Sequence, residues 1–338
     1  MIVGLDATYS IGRNLSGIGV YSRELLEGLT RAHPDDEFLY CYRPHRFLRS
    51  YREKLPANAV RRLLTGEPPG DVFHALNQRL DARARRGVTT FHDLFVLTGD
   101  YSSAEFRARF AQQARQAAEL SEVIIAVSRF TAGHVETLLN IPADRIRVVP
   151  HGVRIPSPSD VPREKLVLLT GAIQRRKNVA RLVKAFEHLP GAWRLALAGA
   201  SDGFGAEEEL RAVEQSPRRA SIDVLGYVSV AELDHLYRRA RIFAFPSLDE
   251  GFGMPILEAM AHGIPVVTSN ISAMPEVAGD AALLVDPRDT EAIHDALLRL
   301  TQDQALCGDL ARRGLERARQ FTWDAAVERT WSIYHELR

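Results

Sequence analysis

Pro246-Ser-Leu-Asp-Glu-Gly-Phe-Gly-Met-Pro-Ile-Leu-Glu-Ala-Met-Ala-His-Gly263 decides how this chain of 338 residues is read. A short apolar run, Ile242-Phe-Ala-Phe245, precedes it and another, Pro265-Val-Val-Thr268, follows, so the passage is strand, loop, helix, strand. Gly251 and Gly253 carry no Cβ and let the backbone come close to a ligand. Pro255 suits the first turn of a helix that runs from Met254 to Ala261 and stops at Gly263. Free amides at such a start attract an anion, and phosphate is the usual one. Two carboxylates, Glu250 and Glu258, bracket the loop with seven positions between them. They would repel a phosphate, yet they can accept hydrogen bonds from hydroxyls on either side of it. A diphosphate set between a ribose and a second sugar meets both demands. Two solvated glutamates at an ordinary helix start are the plainer reading, and the glycines, the proline and the flanking strands outweigh it.

Composition sets the outer bounds. A chain of this length with 46% apolar residues supports two domains, each with a full core. Basic and acidic residues number 43 each, and a net charge of zero argues against nucleic acid as the main partner. Cys41 and Cys307 lie far apart without metal-ligand spacing, which suits a reduced setting. Residues 1–7 begin directly as a strand, with no basic leader and long apolar run. No apolar run approaches the ~20 residues of a membrane span. These features predict a cytoplasmic protein that is free to rest peripherally on the inner face of a membrane.

The first half alternates strand and helix. After a strand over residues 2–7, Ile18, Tyr21, Leu25 and Leu29 recur at helical spacing. Gly17 and Gly19 open that helix. With Ser22 they imitate a dinucleotide-binding fingerprint that lacks its third glycine, so the turn either approaches a phosphate or is merely tight. Between Arg43 and Arg86 eleven basic residues face four acidic ones, with Tyr51 and Phe47 interleaved. That stretch is either a solvated arginine face or a docking surface for anionic lipid or a polyprenyl diphosphate. A strand over residues 87–91 ends in His92-Asp93. A histidine just past a strand's carboxyl end lies where open α/β sheets bind ligands, though it can equally be structural. Ser128 reads as a helix cap. Residues 145–149 run as a strand into Pro150-His-Gly-Val153, and the Pro/Ser-rich residues 155–162 make a linker.

A second alternation follows, and it predicts a parallel sheet covered by helices on both faces. Between its first strand and helix lie Arg175, Arg176, Lys177 and Asn178. Cations on such a turn suit a departing diphosphate, and a solvated basic turn is the bland alternative. Gly199 and Gly226 close later strands, and Tyr227 is expected to pack. Glu276 reads as a helix cap, with Ser272 and Ala273 near the ligand. Trp323, Val327, Trp331 and Tyr334 mark a final amphipathic helix.

The stretch from Glu250 to Glu258 resembles the E-x7-E signature of the retaining, nucleotide-sugar-dependent glycosyltransferases of family four, glycosyl transferases group 1. The likeness spans nearly the whole chain. It takes in Pro150 to Val153, where His151 stands for the usual asparagine, then Arg176-Lys177-Asn178, and then residues 268–287. The resemblance implies the GT-B architecture: α/β, two Rossmann-like domains whose parallel sheets face a central cleft. Residues 1–153 would take the acceptor and residues 154–320 the donor, while a last helix within residues 321–338 crosses back to the first domain. It implies retaining transfer of a hexose from a UDP- or GDP-sugar to a glycan or lipid-linked acceptor in surface polysaccharide synthesis. The Arg-Arg-Lys-Asn form leans towards GDP-mannose. Carried over residue by residue, the catalytic set is His92, Glu250, Lys177 and Arg176. Donor-binding residues are Gly17, Gly19, Gly226, Val228, Gly251, Phe252, Gly253, Met254 and Glu258, the last holding the ribose. No Asp-x-Asp occurs, so neither metal nor cofactor is expected. Ala172 departs from the pattern, because many relatives place an arginine there. Two other classes stay open: a catalytically silent partner subunit of the same fold, and a NAD-dependent oxidoreductase. The second leaves Glu250, Glu258 and Lys177 without a task.

Overall fold

The computed structural model describes residues 1–12 and 14–338. The chain forms two compact units. Met1–Thr98, Ser103–Gly152 and Phe321–Arg338 make the first; Gly99–Ser102 and Val153–Gln320 make the second.

The first unit holds β1 (Ile2–Asp6), β2 (Glu37–Tyr42), β3 (Ala59–Leu63), β4 (Val72–Ala75), β5 (Gly87–Phe91), β6 (Val123–Ala126) and β7 (Ile146–Val148). Their order across the sheet is β3-β2-β1-β4-β5-β6-β7, with every pair parallel. Parallel strands need crossovers, supplied here by α1 (Gly17–Ala32), α2 (Pro44–Ser50), α3 (Phe95–Thr98), α4 (Ala104–Leu120) and α5 (Arg129–Leu139). Strands covered on both faces read as apolar runs, and β4, β5 and β6 are buried throughout. Ser128 caps α5, its Oγ accepting from the Thr131 amide at 2.9 Å.

The second unit repeats the plan. It holds β8 (Leu166–Thr170), α6 (Val179–Glu187), β9 (Arg194–Ala198), α7 (Ala206–Glu214), β10 (Ile222–Gly226), α8 (Val230–Arg239) and β11 (Ile242–Phe245). Then come α9 (Met254–Ala261), β12 (Val266–Ser269), α10 (Met274–Ala278), β13 (Ala282–Val285), α11 (Thr290–Gln302) and α12 (Gln304–Ala318). The sheet order β10-β9-β8-β11-β12-β13 is again wholly parallel. The chain builds outward from β8 to β10, then returns to the other side of β8 with β11. Loops leaving β8 and β11 therefore diverge at this reversal, where open α/β sheets bind their ligands.

The last helix, α13 (Trp323–Glu336), belongs to the first unit. Gly28 of α1 makes room for it, since a Cβ there would sit 2.4 Å from Val327 Cγ2. Trp331 stacks on His33 with ring centroids 3.8 Å apart, and Tyr334 hydrogen-bonds His74 at 2.6 Å.

Three local expectations are corrected. The arginine-rich stretch between Arg43 and Arg86 contains α2 and the edge strand β3, which the charge pattern hid. Tyr227 is half-exposed rather than packed, because it follows β10 at the sheet edge. Ala273, not Glu276, holds the cap position of α10, and Glu276 lies in its first turn. Among the described residues no helix is long and apolar enough to cross a membrane.

Candidate active site

Two loops of the second unit carry the charge. Residues 171–178 leave β8, and Gly199 lets that turn lie against the end of β9, since a Cβ on Gly199 would meet the Gly171 carbonyl oxygen at 2.0 Å. Arg175 to Lys177 form one 3-10 turn, ended by Asn178 in the left-handed conformation at φ 59°. Asn178 Nδ2 donates to the carbonyls of Pro246 at 3.0 Å and Pro287 at 2.7 Å. The Leu248 amide donates to the Arg176 carbonyl at 2.7 Å. These bonds fasten the basic turn to the loop after β11, so the side chains are set before any ligand arrives.

Glu250 stands at the meeting point. Lys177 Nζ donates to its Oε1 at 2.6 Å, and Arg176 Nη1 lies 2.6 Å from its Oε2. Lys177 is only 5% exposed and Glu250 only 8%. Lys177 also sits 4.3 Å from the centre of the Phe245 ring, a cation–π contact. Arg176 Nη1 reaches the Asp249 carbonyl at 3.0 Å, and the Glu250 amide donates to Ser272 Oγ at 3.1 Å. Burial pushes the Glu250 carboxyl up, but the charges of Arg176 and Lys177 outweigh it and hold the group at about 2. Glu250 is thus ionised at neutral pH and accepts hydrogen bonds only. Two cations held in fixed positions on this turn are suited to an anion.

Glu258 lies on α9 in a different environment. Tyr237 of α8 donates its hydroxyl to Glu258 Oε2 at 2.8 Å and shares a hydrogen bond of 3.0 Å with Thr170 Oγ1. Burial raises the Glu258 carboxyl, and the Tyr237 bond offsets only part of that. Tyr237 and Thr170 were not foreseen as site residues; a tyrosine midway along the charged helix α8 was the available signal. At the start of α9, Gly253 takes φ 101° and has no side chain with which to cap the first turn. Gly251 and Phe252 precede it in the loop, and Met254 begins the helix. Gly226, with φ 65°, ends β10, and half-buried Val228 follows it in this unit. Arg175 turns away from Glu250 to pair with Asp100 at 2.8 Å and Glu208 at 3.0 Å, so of the arginines beside Ala172 only Arg176 joins the cluster.

His92, Gly17 and Gly19 belong to the first unit. Gly17 begins α1, and the Gly19 amide donates to Ser16 Oγ at 3.3 Å. His92 is buried beyond β5, with Nε2 at 2.9 Å from the Leu76 carbonyl and Nδ1 at 3.4 Å from His151 Nε2. Burial lowers its imidazole to about 4, and His151 is held well below its ordinary value by burial and by His92. Each unit gathers its own residues: Arg176, Lys177 and Glu250 in one, His92 and His151 in the other.

Two parallel-sheet, Rossmann-like units, the second bearing the buried Arg-Lys-Glu cluster, make an α/β chain of the GT-B architecture. Sucrose-phosphate synthase from Thermosynechococcus elongatus superposes with a TM-score of 0.79 at 20% identity over 100% of this chain and 99% of that one. Anabaena HepE, solved in complex with UDP-glucose, superposes at 0.73 with 19% identity over 99% of both chains. Residues 15–155 match the model of Glycosyltransferase Family 4, and residues 155–320 that of Glycosyl transferases group 1. The O-antigen chain mannosyltransferase B of Escherichia coli is 35% identical over 287 residues, covering 79% of this chain and 74% of that protein. The chain belongs to the glycosyl transferases group 1 family and is a glycosyltransferase.

Proposed function

We propose that this chain is a retaining, metal-independent hexosyltransferase that moves mannose from GDP-mannose to a hydroxyl of a glycan or lipid-linked acceptor in surface polysaccharide synthesis. The cluster of Arg176, Lys177 and Glu250 carries the reading, because two enclosed cations fixed beside the strand reversal can meet a diphosphate. Donor diphosphate rests on Arg176, Lys177 and the start of α9, the ribose on Glu258, and the sugar's hydroxyls on the remaining lone pairs of Glu250. Gly226, Val228, Gly251, Phe252, Gly253 and Met254 line the donor, and Gly17 and Gly19 approach its phosphates. His92 contacts the transferred sugar. The choice of mannose is supported by the 35% identity to a mannosyltransferase. That a nucleotide-sugar is the donor is supported by the likeness in fold to a protein solved with UDP-glucose.

A carboxylate gripped by two cations is a weak nucleophile, which favours front-face displacement over a covalent intermediate. The bond from the sugar's C1 to the phosphate oxygen breaks as the acceptor oxygen bonds C1 from the same face. The acceptor proton passes to the departing phosphate oxygen, and Arg176 and Lys177 neutralise its charge. Leu48 and Tyr51 are 80% and 63% exposed beside Arg46, Arg49 and Arg52, which supports a peripheral contact with anionic lipid.

Incubation with a panel of UDP- and GDP-sugars and a mannose oligosaccharide tests the reading. GDP release from GDP-mannose, undiminished by chelator, with the donor's anomeric configuration kept in the NMR spectrum of the product, is expected. An inverted anomer overturns the mechanism. Silence with every donor favours the partner-subunit alternative.

A further inference from the structure

On the reading that His92 meets the transferred sugar, we propose that His151 is its positioning residue, holding the orientation of the His92 ring through the bond between their nitrogens. The Leu76 carbonyl can only accept, so His92 Nε2, 2.9 Å away, carries the hydrogen. Both rings are buried and neutral at pH 7, which leaves Nδ1 of His92 with a lone pair. The atom opposite that lone pair is His151 Nε2 at 3.4 Å, which must therefore be the donor. One carbonyl and one imidazole thus define the protonation pattern of the pair.

The other side chains around the pair pack against it and have bonds of their own. Tyr21 of α1 packs its ring edge on both imidazoles, with centroids 4.7 Å from His92 and 4.9 Å from His151. Its hydroxyl is committed to Thr90 Oγ1 at 2.9 Å. Trp323 of α13 lies 6.0 Å from His151, and its indole is not among the groups that bond either ring nitrogen of His92. His74 of β4 is engaged with Thr90 at 2.7 Å and Tyr334 at 2.6 Å. Among the described residues, His151 is the side chain bonded to His92 Nδ1.

The test is nitrogen-15 NMR of the histidine rings, with His92 assigned by the loss of its signals in His92→Gln, together with steady-state kinetics for donor turnover. In the native protein His92 should show the Nε2–H tautomer, with widely separated nitrogen shifts. His151→Phe keeps a flat ring but loses the donor. It should move the His92 Nδ1 shift, which loses its hydrogen-bond donor, while the Nε2–H on Leu76 stays, and lower kcat roughly 10- to 100-fold, the scale for removing a partner that orients a functional imidazole. KM for the donor should change little. His151→Gln, whose amide nitrogen reaches about where the imidazole Nε2 stands, should restore both the Nδ1 shift and most of kcat. Should His151→Phe fail to fold, His151→Leu takes its place. Unchanged His92 shifts in the donor-less variant, or a glutamine variant no better than it, overturn the positioning role. Normal transfer by His92→Ala sinks the assignment of His92 to the sugar and the positioning role with it. A crippled His92→Ala beside an indifferent His151→Phe sinks the positioning role alone.

Discussion

The two units bury polar side chains in opposite ways. In the first, His74, His92, His151 and Tyr21 are enclosed, and burial is the largest influence on each. They stay neutral; His74 and Tyr21 share Thr90, and His92 bonds His151. In the second, Glu250 is as deeply enclosed, yet two cations keep it ionised. Burial opposes charge in both places, and only a partner of opposite sign decides the outcome. The neutral centre suits orientation, the ionised one the handling of a charged group.

If the ionised centre handles the leaving group, its loss should be the most damaging change. Lys177→Ala should lower kcat by about 10²- to 10³-fold, read as nucleoside diphosphate release. A smaller loss than that from His92→Ala would invert the division of labour. Glu250→Gln should be the next most severe in stability, because it leaves two enclosed cations facing each other. A cost of about 3 kcal/mol is expected in urea unfolding followed through Trp193 of the second unit.

Acid should separate the two centres without mutation. His92 and His74 lie at about 4 and about 3 when folded, against an ordinary 6.5. The unfolded chain therefore binds their protons first. Stability from these groups is complete above pH 6.5 and drains as the pH falls towards 4 and then 3. Glu250 lies at about 2 against an ordinary 4.5, so its contribution is intact above 4.5 and drains only between 4.5 and 2. Glu258, raised by burial, takes up its proton earlier and offsets part of that loss. Fluorescence from Trp323 and Trp331 should change at higher pH than that from Trp193. Coincident transitions would show that one global event overrides the local difference. The smallest effect belongs to Arg175→Ala. Its partners, Asp100 and Glu208, are largely exposed, so less than about 1 kcal/mol should be lost, with turnover kept.

Much of this was written in local sequence. Strand β11, helix α9 and strand β12 follow from apolar runs, Gly253 and Pro255, and the parallel sheets follow from the alternation that surrounds them. Arg176, Lys177, Glu250 and Glu258 stood out by type and spacing. Their relationship did not, because Lys177 and Glu250 are 73 residues apart and meet only through Asn178 and the Leu248 amide. Residue type alone set the glutamates to bind hydroxyls and the cations to bind phosphate. That Glu250 also neutralises the cations required the fold. Strand β3 stayed hidden because an edge strand shows one face to water, and Arg61 and Arg62 break its apolar pattern. Tyr237 gave little warning, since one aromatic in a charged helix is usually packing.

The seating of α13 in the first unit bears on how the chain is made. Val327, Trp331 and Tyr334 complete a core whose other members, Gly28, His33 and His74, leave the ribosome roughly 260 to 300 residues earlier. During synthesis the first unit waits with an uncovered groove and an unanswered imidazole while the second, contiguous from Val153 to Gln320 apart from Gly99–Ser102, can already condense. The half that is translated first is therefore the half that finishes last.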